Sequence, residues 1–242
     1  MALSEDLQTR PKIAAIIPTY NEERNVAGVL KALCSSEILD EIIIVDDGSV
    51  DDTLEIVSQF ANTDRRIKVI RHDRNKGKGQ AIITGWGATS APYLLLLDAD
   101  LHELTSNHIL VLMTPVLEKR ADMTLGLFWG GHLITDLSSW GMPFLTGQRG
   151  LRAEILSHIS QDAASGYGFE VALTIAANKQ GFHKHVVPLK GVWHPPSEFH
   201  RGGLNGLIWR FRMYGQIIRG WLIASRYRRH KVKPFFSSTL KP

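Results

Sequence analysis

The sequence predicts an α/β protein, a mostly parallel β-sheet flanked by helices and joined by right-handed crossovers. Three observations predict it. Short β-rich runs alternate with helical patterns through the first half of the chain. The run Leu94-Leu95-Leu96-Leu97 is apolar without alternation, as suits a strand buried on both faces. That run ends abruptly in Asp98-Ala99-Asp100, and open α/β sheets place their ligand sites just beyond the carboxyl ends of such strands. With 242 residues, 44% of them hydrophobic, the chain is long enough for one large domain with a full core.

Each element carries its own signal. The first strand, Ile13–Ile17, is stopped by Pro18, and Asn21 is placed to cap a helix over 22–34. Tyr20, in the loop between them, can lie against a base or sugar ring. The second strand, Glu41–Val45, leads into Asp46-Asp47-Gly48-Ser49. Gly48 permits a tight turn and Asp52 caps a helix over 52–61, which leaves Asp46 and Asp47 to face a ligand. Carboxylates there can accept hydrogen bonds from a base or ribose. The third strand, Arg66–Ile70, precedes Asn75-Lys76-Gly77-Lys78-Gly79, where glycines, two lysines and the start of a helix over 77–88 suit an anionic group. The fourth, Tyr93–Leu97, delivers Asp98 and Asp100. Two carboxylates at a strand end invite Mg²⁺ or Mn²⁺, hard cations held by one or two acids plus substrate phosphates. A helix over 105–118 and a strand over Ala121–Leu127 follow. Phe128–Gly147 has no clear periodicity and reads as a long functional loop. Helical patterns resume over 151–158 and 168–179, and His183–Val187 is a last short strand.

Several chemistries are excluded or disfavoured. One cysteine, Cys34, allows neither an internal disulfide nor a cysteine-rich zinc site. No Gly-Lys-Ser/Thr occurs, so there is no Walker A loop, and no Gly-x-Gly-x-x-Gly follows the first strand. His183 and His185 share a strand face, but two ligands do not make a zinc site; His194 and His200, flanking Pro195-Pro196, are open to active-site contact. The N-terminus lacks the basic and apolar regions of a signal peptide, and no stretch reaches the length of a membrane span, so a cytoplasmic location is expected.

The motifs at the four strand ends carry a family resemblance. Ile17-Pro18-Thr19-Tyr20-Asn21-Glu22-Glu23, Ile44-Val45-Asp46-Asp47-Gly48-Ser49, Asn75-Lys76-Gly77-Lys78-Gly79 and Leu97-Asp98-Ala99-Asp100 resemble, in order and spacing, the family 2 glycosyltransferases of GT-A fold. The resemblance implies inverting transfer of a sugar from a nucleoside-diphosphate donor (UDP or GDP) with Mg²⁺ or Mn²⁺. It implies that Pro18, Tyr20, Glu22 and Asp47 line the nucleoside pocket; Asp46 and Lys78, from the strand-end chemistry above, are further candidates for donor binding. Asp98, with Ala99, would meet ribose or metal, and Asp100 would ligate the metal. Further on, Thr146-Gly147-Gln148-Arg149-Gly150-Leu151-Arg152, Gly166-Tyr167-Gly168-Phe169-Glu170 and the basic C-terminal segment resemble dolichyl-phosphate or polyprenyl-phosphate sugar synthases.

A departing diphosphate gains negative charge, and Arg149, Arg152 and Arg201 are the candidates to stabilise it. Glu170, at a helix start, is the candidate base if the acceptor is a hydroxyl. A phosphate monoester is already an oxyanion and needs none.

The net charge of +4 hides an asymmetry. Residues 1–198 carry 18 Lys and Arg against 24 Asp and Glu, whereas 199–242 carry ten basic residues and no acid. From Leu204 to 225 the apolar positions fall on one arc of roughly 140° flanked by Arg210, Arg212 and Arg219, the pattern of a helix lying on a membrane surface. The expected organisation is therefore a catalytic domain over 1–200 and a basic amphipathic membrane-associating tail over 201–242. The expected activity is transfer to a polyprenyl phosphate at the cytoplasmic membrane face, without nucleic acid as a partner. Two alternatives stand beside it. One is the same donor chemistry on a soluble or protein-bound hydroxyl with Glu170 as base; the other is a non-catalytic nucleotide-binding module.

Overall fold

A computed structural model of the chain describes residues 11–130, 143–159 and 168–195. Seven strands form one sheet: β1 (Ile13–Thr19), β2 (Glu41–Asp46), β3 (Ile67–Arg71), β4 (Tyr93–Leu96), β5 (Met123–Trp129), β6 (Arg149–Arg152) and β7 (Lys184–Lys190). The helices are α1 (Val26–Cys34), α2 (Thr53–Ala61), α3 (Lys78–Trp86), α4 (Ser106–Leu117) and α5 (Phe169–Gln180). Strand order is β3-β2-β1-β4-β6-β5-β7. The β1–β2, β1–β4, β2–β3 and β5–β7 pairs are parallel, and only β6 runs antiparallel to its neighbours β4 and β5.

Strand side chains alternate between two apolar layers, as the two-residue period requires. Ile13, Ala15 and Ile17 of β1, with Ile42 and Ile44 of β2, face α1, α2 and α4. Ala14 and Ile16, with Ile43, Val45, Leu94 and Leu96, face α3 and α5. Both faces of the central strands are covered, which is why they read as continuous apolar runs.

Three local readings are corrected. Pro18 does not end β1, which runs on through Thr19. The β1–β4 pairing stops at Ile16↔Leu96, so Pro18 has a strand partner on one side only and its missing N–H breaks little of the ladder. Asn21 is not a cap. It sits at φ 56°, and helix α1 begins only at Val26. Its Oδ1 accepts from Val50 N (3.0 Å) and its N–H donates to Ser49 Oγ (3.0 Å), tying the loop after β1 to the loop after β2. The segment 151–158 is not one helix: its first two residues complete β6, and a 3₁₀ stretch, Ala153–His158, follows.

The predicted tail over 201–242, with Arg201, lies outside the described residues, as do 131–142 of the long loop. Among the described residues no helix is long and apolar enough to cross a membrane.

Candidate active site

The parallel block β3-β2-β1-β4 brings four strand ends, and the motifs that follow them, to one edge of the sheet. Antiparallel β6 approaches that edge from the other direction. Leu96 pairs with Arg149, so residues 146–148, which precede β6, face Asp98, which follows β4.

Lys78, the first residue of α3, lies at the centre. Its Nζ is 2.6 Å from Asp98 Oδ1 and 2.6 Å from Glu170 Oε1. Gln148 Nε2 donates to the other oxygen of Asp98, Oδ2, at 2.9 Å. Burial works against the charge on Asp98, but Lys78, His194 and Gln148 outweigh it and hold the carboxyl below its usual range. Burial likewise opposes the Lys78 charge, and the two carboxylates overcome it, raising the ammonium above the usual lysine range. Gly147 makes room for this pairing. A Cβ there would stand 2.5 Å from Asp98 Oδ2 and 2.7 Å from Lys78 Nζ. Gly147 and Gln148 were not singled out as site residues from the sequence, because their place beside Asp98 follows from β6.

Asp100 stands apart from this pairing. Burial first, then the charge on Asp98, push its carboxyl above the usual range, while His194 and Lys78 pull the other way. Glu22 belongs to the same field. Its pKa is pushed up to about 7 by burial and by the charges of Asp100, Asp98 and Asp51, against a hydrogen bond from Asn25 Nδ2 at 2.8 Å. Asn25 Oδ1 meets His102 Nε2 at 3.2 Å, and the His102 ring stacks on Trp193 with centroids 4.2 Å apart. That stack, with the backbone bond His102 N–H to Trp193 O (2.8 Å), ties the segment carrying His194 to the loop after β4.

Carboxylate oxygens and an imidazole are a donor set that Mg²⁺ or Mn²⁺ accepts, and a cation would relieve the repulsion between Asp98 and Asp100. Among the described residues no three His, Cys, Asp or Glu side chains converge on a closed cage. The donor set therefore suits an ion that takes its remaining ligands from substrate phosphates.

Other site expectations change. Asp47 does not face outward. It is 3% exposed, with Oδ1 taking His72 Nδ1 (2.6 Å) and Lys76 N (2.9 Å), and Oδ2 taking Gly77 N (2.7 Å). Asp46 is buried too, its Oδ1 3.3 Å from Ser49 N. Its Oδ2 is the one fully buried side-chain oxygen or nitrogen without a hydrogen bond among the described residues, although Arg71 Nε lies 3.4 Å away. The Ala99 methyl packs in the core, which leaves only its backbone for a ligand.

Arg149 is fully buried rather than directed at a phosphate. Its guanidinium donates to the carbonyls of Thr146 (2.9 Å), Phe144 (2.7 Å) and Glu170 (3.1 Å) and to Thr174 Oγ1 (3.0 Å). Burial lowers it to about 10, against the pull of Glu170 and Asp98. Arg152 pairs with Tyr93, at the start of β4, and so sits at the far end of the sheet, bound to Asp122 (2.9 Å) and Glu154 (2.9 Å). Tyr20 stays exposed and Pro18 is half-buried. His72 was missed altogether, although it directly follows β3 as Asp47 follows β2.

Residues 14–172 match the family model described as glycosyl transferase family 2. A putative glycosyltransferase of Bacillus subtilis, CsbB, is 39% identical over 98 residues, covering 38% of this chain and 30% of that protein. The undecaprenyl-phosphate 4-deoxy-4-formamido-L-arabinose transferase of Yersinia pestis is 35% identical over 106 residues, 42% of this chain and 32% of its own. The chain thus spans about a third of the length of the curated relatives it matches. Among solved structures, glucosyl-3-phosphoglycerate synthase of Mycobacterium tuberculosis with Mn²⁺, UDP and glucosyl-3-phosphoglycerate superposes with a TM-score of 0.72 at 22% identity, over 91% of this chain and 82% of that one. The same enzyme with Mg²⁺ and UDP gives 0.72 over 92% and 82%. The fold is therefore GT-A-like.

These findings correct the expected acceptor. The framework that matches nine-tenths of this chain is seen with phosphoglyceric acid, a small soluble molecule, whereas the likeness to the undecaprenyl-phosphate enzyme spans 42% of the chain. The polyprenyl-phosphate reading is withdrawn. From its strand-end motifs, its sheet order and the match over residues 14–172, the chain belongs to glycosyl transferase family 2.

Proposed function

We propose that this chain transfers a sugar from a nucleoside-diphosphate donor to a hydroxyl of a small soluble acceptor, using Mg²⁺ or Mn²⁺. The observation that carries this reading is the bridge Asp98–Lys78–Glu170 at the ligand edge of the sheet, with Asp100 beside it. It sets a cation between the acid of the donor site and a second carboxylate.

In this reading the exposed Tyr20 lies against the base. Asp98, fixed by Lys78 and Gln148, receives the ribose, while Asp100, with His194 nearby, holds the metal. When bound, the metal neutralises charge on the departing diphosphate. The Lys78 ammonium, 2.6 Å from both carboxylates, is the protein's own cation for the same oxygens. Glu170 takes the proton of the attacking hydroxyl, and Arg149 fixes the Glu170 backbone from behind. The division at 200/201 into a catalytic domain and a basic segment belongs to the same proposal.

The test is a screen of UDP- and GDP-sugars with Mn²⁺ against small hydroxyl acceptors, phosphorylated ones included, reading acceptor-dependent nucleotide release. Turnover is expected with one donor. Glu170→Gln should lower kcat by roughly 10²- to 10⁴-fold, the usual worth of a general base. Acceptor-independent release, or a fully active Glu170→Gln, would refute the hydroxyl reading.

A further inference from the structure

Asp47 does not face a ligand, yet its carboxylate is bound on both oxygens, and the bonds form a closed ring. Oδ1 accepts from Lys76 N–H and Oδ2 from Gly77 N–H, so the carboxylate grips two successive amides of the turn before α3. His72 Nδ1 meets Oδ1 at 2.6 Å, and His72 Nε2 meets Thr84 Oγ1 at 2.9 Å. Thr84 is on α3, the helix that opens with Lys78. The ring therefore runs from the turn to Asp47, to His72, to Thr84 and back along α3 to Lys78.

His72 is itself anchored. It is 6% exposed, and its N–H donates to Asp46 O at 2.8 Å, which fixes it on the end of β2. The neighbouring turn leaves no slack. Gly48 sits at φ 80°, and a Cβ there would stand 2.8 Å from the Arg74 carbonyl carbon. An apolar side chain in place of His72 could fill the volume, but it could not hold the plane of the Asp47 carboxylate. Rotation of that plane would break the Lys76 and Gly77 bonds together.

We propose that His72 is a positioning residue for donor binding: through Asp47 and Thr84 it locks the Lys76–Lys78 turn and so sets the Lys78 ammonium between Asp98 and Glu170. This rests on the donor-binding role assigned above to Lys78. Removing the His72–Asp47 bond frees the carboxylate to turn, loosens the two amides and spreads Lys78 over several positions. Donor affinity falls while the apolar layers stay intact.

Two near-isosteric variants separate this from a packing role. In His72→Asn the amide Nδ2 can stand where imidazole Nδ1 stands, keeping the bond to Asp47. In His72→Gln the amide reaches the Nε2 position and Thr84, and the Asp47 bond is lost. Amide hydrogen exchange at Lys76 and Gly77 is measured in both, together with affinity for UDP in the presence of Mn²⁺ by calorimetry. His72→Gln should speed exchange at both amides and weaken UDP binding by about tenfold to a hundredfold, the worth of one charge-assisted hydrogen bond. His72→Asn should remain close to wild type in both. Thr84→Val, which removes the far end of the ring without touching Asp47, should give an intermediate loss. Equal protection in all variants, or an Asn variant as impaired as the Gln variant, would overturn the proposal. Should wild-type protein fail to bind UDP, the donor reading falls, while the exchange data still decide whether His72 locks the turn.

Discussion

At the scale of single residues, the site is organised by charge held in confined space, and Glu22 gives the plainest consequence. Its pKa is raised to about 7 from an ordinary value near 4.5, so between those limits the folded protein keeps a proton that the unfolded chain has released. The unfolded state then binds fewer protons, and stability falls as pH rises. The contribution of Glu22 is full below about 4.5, declines from there to about 7, and is gone above it. Glu22→Gln, which stays neutral and can still accept from Asn25, should match wild type in Tm at pH 4 and exceed it at pH 8. A difference in Tm that does not vary with pH would show that Glu22 is not protonated in the fold. Gly147 tests geometry instead. Gly147→Ala puts a methyl against Asp98 and Lys78. Displacement of reacting groups by about 1 Å costs on the order of 10²-fold in turnover. The expected result is a loss of that size in kcat/KM with Tm nearly unchanged; full activity would mean that the Asp98–Lys78 pair does not need its observed geometry.

At the scale of elements, β6 explains most of what the sequence hid. Arg149-Gly150-Leu151-Arg152 has two arginines, a glycine and one apolar residue, and nothing in that pattern reads as a strand. It becomes one because β4 and β5 leave a gap that a short antiparallel strand fills, a tertiary demand rather than a local propensity. Both arginine roles followed from missing it. The antiparallel direction sends Arg152 to the far end of the sheet and buries Arg149 under α5. The parallel strands were legible because covered strands are apolar throughout, and Asp98 and Lys78 were legible because each stands at a strand or helix end. Asp47 was misjudged for the opposite reason: hydrogen bonds to Lys76, Gly77 and His72 join segments distant in sequence. Arg149 yields a decisive prediction. A lysine has three donors on one nitrogen and cannot reproduce a fork that meets three carbonyls and a hydroxyl. Arg149→Lys should lower unfolding free energy by about 2–4 kcal/mol in denaturant titration, since buried acceptors are left unpaired. A variant of unchanged stability whose only defect is a higher donor KM would restore the phosphate role first expected of it.

At the scale of the whole molecule, the proposed function makes the sheet edge an electrostatic lock that neither donor nor metal opens well alone. An anionic nucleoside diphosphate entering by itself meets Asp98, Asp100 and Glu170. A divalent cation entering by itself meets the Lys78 ammonium, already seated at 2.6 Å on Asp98. Arriving together, the metal offsets the acids and the diphosphate offers Lys78 new oxygens, so each removes the obstacle to the other. Binding to the folded state alone stabilises by about 2.7 kcal/mol at a hundredfold excess over Kd. For a chain of this size that corresponds to a rise in Tm of roughly 5–10 °C. UDP with Mn²⁺ should produce a shift in that range, larger than the sum of the shifts from UDP alone and Mn²⁺ alone. Asp100→Ala should remain folded and lose the excess, because the metal then has no carboxylate of its own while Asp98 stays engaged by Lys78 and Gln148. Lys78→Met should also lose it, but by the opposite route: Mn²⁺ alone would bind more tightly, and UDP would add little. Purely additive shifts in the wild-type protein would mean that the two ligands do not share this edge of the sheet.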